Sequence, residues 1–219
     1  MRQDWPRIPI PANRDLLESS AGLGRIVAAH LLPDKPVSGV TTGKLRAELR
    51  TLAIPSKVGD ATIDPTTDLK VEAGWGYRGQ KNAVMCGQGK AVPRLSANAS
   101  DEHAFDVYIN DSVYWANIPA DVWAMTIGGY PVIKKWLSYR EYKVLGRPLR
   151  EDEATYITEV VRRLKALLLL RDELDANYRA SAQDALDWNA KKQAASDEAA
   201  AGYGAGRRSG SKKRPGAPA

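Results

Sequence analysis

The 219-residue sequence holds a single cysteine, Cys86, only two histidines, His30 and His103, and one phenylalanine, Phe105. A lone thiol cannot form an internal disulfide, and such usage suits a reducing cytoplasm. One thiol and two imidazoles cannot furnish a structural zinc site. No apolar stretch approaches the roughly 20 residues that span a bilayer. The opening Met1-Arg2-Gln3-Asp4-Trp5-Pro6 lacks the basic-then-apolar order of a secretory signal. No membrane partner is expected, and cytoplasmic localisation is.

Signatures of catalysis are missing as well. Gly87-Gln88-Gly89-Lys90 has neither the spacing nor the following hydroxyl of a phosphate-binding loop. There is no strand–Gly-x-Gly–helix cofactor motif and no serine-centred nucleophile elbow. The acids are scattered, with no evident general acid/base pair. Asp64-Pro65 superficially matches the start of the Asp-Pro-Pro-aromatic tetrapeptide of adenine methyltransferases. It continues Thr66-Thr67, without the ring that stacks on a flipped base, and the match reads as chance.

What is present is a 23.9 kDa chain, one ordinary domain or a domain with a tail, with 43 % hydrophobic and 26 % charged residues. Its net charge is +6. The stretch from Gly206 to Ala219 carries Arg207, Arg208, Lys212, Lys213 and Arg214 and no acid, so the remainder is close to neutral. Nucleic-acid binding would therefore rest on local patches, with the tail as a non-specific electrostatic arm. Six tryptophans and nine tyrosines dominate the aromatics. Both residue types favour places with one dry and one wet end, such as interfaces and base-stacking surfaces, although any single tryptophan more often simply fills a core.

Pattern reading gives an α+β fold: a small, mostly antiparallel sheet packed against helices, with a disordered basic C-terminal tail. Residues 1–32 read as an extended proline-rich arm and a connecting helix, capped by Asn13 and ended by Pro33. Residues 33–68 read as a linker with a short helix over Gly43–Ala53, and residues 69–180 as the main domain. Residues 181–219 read as a frayed helix and tail. A strand is expected over Leu69–Tyr77, its glycines marking a bulge or a close backbone approach. Arg78–Lys90 reads as a loop or irregular hairpin. Phe105–Ile118 is the clearest signal: two β-rich runs about Asn110-Asp111, residues that tolerate a left-handed turn, with Val107 and Ile109 on one face and Val113 and Trp115 on another. A short helix is expected over Ala120–Ile127, broken by Gly128-Gly129. Another runs from Pro131 to about Lys143, and a long one from Glu151 to Arg179.

On the 131–143 helix, Val132, Ile133, Trp136 and Leu137 cluster on one side, and Lys134, Lys135, Ser138 and Tyr142 on the other. Tyr139 lies at the edge. Arg140 falls on the apolar side, where it must snorkel, pair with an acid or reach a ligand. Between Tyr130 and Arg150 the chain carries Lys134, Lys135, Arg140, Lys143, Arg147 and Arg150 against Glu141 alone, interleaved with Tyr130, Trp136, Tyr139 and Tyr142. Cations beside rings suit phosphate contact and stacking on a base. The competing reading is a solvated helix face whose rings pack inward.

A resemblance shifts that balance. Leu69–Arg78, Gly87–Arg94, Phe105–Ile118, Val122–Glu141 with its Gly-Gly-Tyr-x-Val-x-Lys-Lys-Trp-Leu core, and Leu145-Gly146-Arg147-Pro148-Leu149 together resemble one domain. It is the C-terminal specificity (target recognition) region of type ISP restriction-modification enzymes and related adenine-specific DNA methyltransferases. The resemblance covers about Trp5 to Tyr178. Pro131 departs from it, standing where a polar residue such as Gln is more usual.

It implies a non-catalytic module that reads double-stranded DNA; taken with the basic, aromatic span, it leads to the expectation of Lys134, Lys135 and Arg147 on phosphates and Arg78, Tyr130 or Arg140 near bases. It also implies a partner methyltransferase or restriction subunit. No cofactor is expected in this chain; S-adenosylmethionine belongs to the missing catalytic part. The chain then looks like a specificity domain detached from that part. The alternative is a protein-interaction subunit, or a remnant, docking on a methylase.

Overall fold

A computed structural model describes residues 8–97 and 103–187. The N-terminal Trp5-Pro6-Arg7 and the basic tail lie outside them. Among the described residues are six helices and a mostly antiparallel four-stranded sheet, so the fold is α+β, as the pattern predicts. No helix among them is long and apolar enough to cross a membrane.

The chain divides into two units, residues 1–21 with 175–219, and residues 22–174. In the first, the extended strand-like arm at Pro11 bridges Ala185, with Ala12 N–H donating to Asp184 O at 2.8 Å and Leu186 N–H to Ile10 O at 2.8 Å. Asn13 caps helix α1 (Arg14–Leu31), as expected, its Oδ1 accepting from Asp15 N–H at 2.8 Å.

In the second unit the sheet runs β1 (Ile54–Lys57), β6 (Val113–Pro119), β5 (His103–Tyr108), β4 (Lys90–Leu95) in spatial order. The expected hairpin is β5–β6. Its loop is not left-handed at Asn110 or Asp111. Instead the Asn110 side chain closes it, accepting from Ser112 and Val113 N–H and donating to the carbonyls of Asp68 and Lys70. Val107 pairs directly with Trp115, and opposed residues share a face. Val107, Ile109, Val113 and Trp115 therefore enter one core, not two faces.

Residues 33–68 contribute β1 and the buried Val40, Leu49, Leu52 and Ala53. The helix expected over Gly43–Ala53 shrinks to one 3₁₀ turn, Ala47–Leu49. The strand expected over Leu69–Tyr77 survives only as β2 (Gly76–Arg78), which pairs with β3 (Val84–Cys86). Before it, the backbone bonds outside any ladder. Glu72 and Ala73 donate to Ile109 O, while Val71 O and Leu69 O accept from Tyr142 and Leu149.

Helix α2 stops at Trp123 (Ala120–Trp123), and a two-residue hairpin follows, β7 (Thr126–Ile127) and β8 (Tyr130–Pro131). Helix α3 covers Val132–Arg140, α4 Tyr142–Leu145 and α5 Glu151–Leu169. The long C-terminal helix breaks at Leu170, and α6 (Arg171–Gln183) resumes beyond it. Ile157, Val161 and Leu164 of α5 meet the sheet face, and Ile133 and Leu137 of α3 join the same core. Trp115 Nε1 donates to Ala154 O at 3.2 Å, and Thr158 Oγ1 to Ala53 O at 2.6 Å. These bonds fix α5 against the strands.

Candidate nucleic-acid interface

Trp75 organises the neighbourhood of α3. Its ring is fully buried, its indole N–H donates to Tyr108 O at 2.7 Å, and it meets Trp123 edge-on with centroids 5.6 Å apart. Glu141, the single acid of the basic span, is also buried and accepts from Trp75 N–H at 2.8 Å and Gly74 N–H at 3.3 Å. That clamp coincides with the break between α3 and α4, where Glu141 adopts φ −50°, ψ 132°. Ser138, expected on the polar side of α3, is buried, because Gly76 runs so close to its carbonyl that a Cβ there would lie 2.0 Å from the oxygen.

With Ile133, Leu137 and Ser138 turned inward, α3 presents Lys135, Trp136, Tyr139 and Arg140 outward. Together with Ile127, Tyr130 and Val132 they line an open groove of about 450 Å³. Tyr130 and Tyr139 are 58 % and 45 % exposed, so rings face solvent here and are not sealed inside. Lys135 Nζ stands 5.0 Å from the Tyr130 ring centroid and 4.8 Å from that of Tyr139. The Arg140 guanidinium lies 4.4 Å over Trp136, whose ring in turn stacks on Tyr156 with centroids 6.0 Å apart and meets Trp115 edge-on. A ladder of rings thus runs from the core to the groove and orients Arg140, while Lys135 is held by the separate pair Tyr130 and Tyr139. Arg140 Nε is buried with no hydrogen-bond partner and stands 3.9 Å from Glu153 Oε1.

The other expected contacts fall elsewhere. Arg147 is held bidentately by Glu153, Nη1 to Oε2 at 2.7 Å and Nη2 to Oε1 at 3.1 Å. Arg78 donates to the carbonyls of Val144 (3.0 Å) and Asn82 (3.4 Å). Lys134 is half-buried on α3 and outside the groove lining. Asp64, of the Asp-Pro dipeptide, is a turn residue that accepts from Thr66 N–H at 2.9 Å and Thr66 Oγ1 at 2.7 Å. Sequence reading passed over Ile127. Thr126-Ile127-Gly128-Gly129-Tyr130 is a two-residue hairpin signal, and the glycine pair reads equally as a helix breaker.

Glu153 also accepts from Arg150 N–H at 3.0 Å, closing the first turn of α5. The hydrogen bond from Arg147 holds its carboxyl below the ordinary carboxylate range despite opposing desolvation. A depressed folded-state pKa contributes stability above the unfolded value of about 4.3, and that stability is lost as pH falls through the folded value. Urea unfolding at falling pH is expected to show this acid loss, and Glu153→Gln to flatten it.

Over residues 1–164 the sequence matches the Type ISP C-terminal specificity domain. The chain belongs to that family. Its members are non-catalytic target-recognition modules of restriction-modification systems, which bind DNA and associate with a restriction-modification enzyme. No curated protein and no solved structure matches the chain.

Proposed function

We propose that this specificity domain reads double-stranded DNA along the groove beside α3, while methyl transfer from S-adenosylmethionine is carried out by a methyltransferase part outside these 219 residues. The observation that carries the reading is the pair of ring-mounted cations, Lys135 between Tyr130 and Tyr139 and Arg140 on Trp136, beside an open groove. A lysine so placed supplies a phosphate contact, which positions the duplex. An arginine supplies the fork that pairs with guanine O6 and N7, which specifies it. Lys134, one residue along α3, serves as a second phosphate contact. Arg147 and Arg78, engaged by Glu153 and by carbonyls, support the fold first and would reach DNA only by giving up those bonds.

Titration of the full chain with duplex DNA at increasing salt tests the assignment. Each phosphate contact contributes a slope of about −0.9 in log affinity against log salt. Lys135→Ala is expected to flatten the slope by about one such contact while weakening all sequences alike. Arg140→Gln is expected to lose sequence discrimination by a factor equivalent to about 1–3 kcal/mol. A flat salt response of the wild type, with tight co-purification of a methylase subunit, would transfer the groove to a protein interface.

A further inference from the structure

We infer that the β7–β8 hairpin is a wedge that enters a base step of the bound duplex, with Ile127 as the unstacking side chain and Tyr130 stacking beside it. The inference rests on the reading of the groove as a duplex-binding surface and adds how that surface deforms its ligand. The hairpin turns on Gly128 (φ +59°) and Gly129 (φ +82°), the paired left-handed residues that make the tightest two-residue connection. Its tip is therefore only one Ile127–Tyr130 pair wide, and paired residues lie on one face.

Residues 126–130 are all exposed, Ile127 at 54 % and Tyr130 at 58 %. Folding thus leaves a branched aliphatic chain and a ring side by side in water. Only the base of the ribbon is tied down, through Val132 N–H to Met125 O at 3.1 Å and through Pro131 leading into α3.

The surroundings identify the occupant. Ile127 and Tyr130 form a rim of the groove whose other lining residues include Lys135 and Arg140, and Lys135 stands over the Tyr130 ring itself. No acid lines the groove. An apolar tip flanked by cations suits a polyanion with a stacked apolar interior, where the cations hold phosphates and the tip replaces lost stacking. Proteins that bend DNA from the minor groove insert isoleucine, leucine or phenylalanine between base steps; here the tip shares a groove with Arg140 and enters from the major-groove side that the arginine reads.

A duplex recovered by the full chain from a pool with a randomised centre provides the test. A fluorescent adenine analogue placed at each step of that site reports unstacking, and end-to-end energy transfer reports bending. Wild type is expected to give a several-fold fluorescence rise at one step, a pyrimidine–purine step because these unstack most readily, and a kink of roughly 20–90°. Ile127→Ser is expected to abolish the rise and the kink while keeping the salt slope, and Ile127→Leu to retain both. Salt-dependent binding without a rise in the wild type, or with the rise intact in Ile127→Ser, overturns the wedge and leaves the groove assignment standing. Recovery of no duplex and a flat salt response overturn both.

Discussion

Gly89→Ala is expected to lower the stability of this domain by roughly 3–5 kcal/mol, the sum of a forced left-handed alanine and an overpacked core. Gly89 sits at φ +65°, and a Cβ there would lie 2.1 Å from Cε3 of Trp75 and 2.3 Å from two further ring atoms. The ring is held in place, since it is fully buried, meets Trp123 edge-on, and has its indole N–H bonded to Tyr108 O. For a domain of this size the loss corresponds to a fall of about 6–20 °C in melting temperature, measurable by circular dichroism. Gly24→Ala is the control: no atom approaches within 4 Å of a Cβ at that helical position, so its exchange is expected to stabilise by about 0.5–1 kcal/mol. Equal losses in both variants would show that Gly89 is not a packing glycine.

The Gly-Trp-Gly and Gly-Gln-Gly repeats of the sequence thereby acquire a physical meaning. They are neither a phosphate cradle nor a flexible loop; they let backbone pass against an indole and against α3. Such a role was half legible beforehand. Glycines spaced in a β-rich run announce a close approach, but the approaching partner is distant in sequence and carries no local signal. The same limit explains the failed strand over Leu69–Tyr77. Its alternation is real, yet its backbone groups bond to Ile109, Tyr142 and Leu149 rather than to a neighbouring strand. By contrast the β5–β6 hairpin and helices α1 and α5 were readable because their periodicity, caps and stops are local. The break at Leu170 was not, because Lys165–Leu170 contains no glycine or proline to announce it.

The site divides along similar lines. Interleaved cations and rings between Tyr130 and Arg150 are visible in the sequence, and the groove draws five of its lining residues, Tyr130, Lys135, Trp136, Tyr139 and Arg140, from them. Which cations are already committed is not visible. Arg147 and Arg78 look like Lys135 in a string of letters, but Glu153 holds Arg147 bidentately and Arg78 donates to two carbonyls, whereas Lys135 reaches one, Val84 O, at 3.5 Å. Glu141 misleads in the opposite sense. An isolated acid in a basic helix reads as solvated, whereas it is the group around which the helix is broken.

That position gives the second large effect. Glu141→Ala is expected to cost about 2–3 kcal/mol, because it strips the buried N–H of Trp75, and the N–H of the more exposed Gly74, of their acceptor. Glu141→Gln separates hydrogen bonding from volume. Its amide oxygen can still accept from Trp75, but its NH₂ would face the Gly74 N–H, donor to donor, so a loss of about 1–2 kcal/mol is expected. The ordering Ala worse than Gln worse than wild type, read from urea midpoints, checks the clamp, and equal stability of all three would refute it. Arg140 immediately precedes this residue and lines the groove, so the clamp also sets where the arginine fork begins. Glu141→Gln is accordingly expected to weaken sequence discrimination more than total DNA affinity, since Lys135, one and a half turns back on α3, keeps its rings and with them the phosphate contact proposed for it.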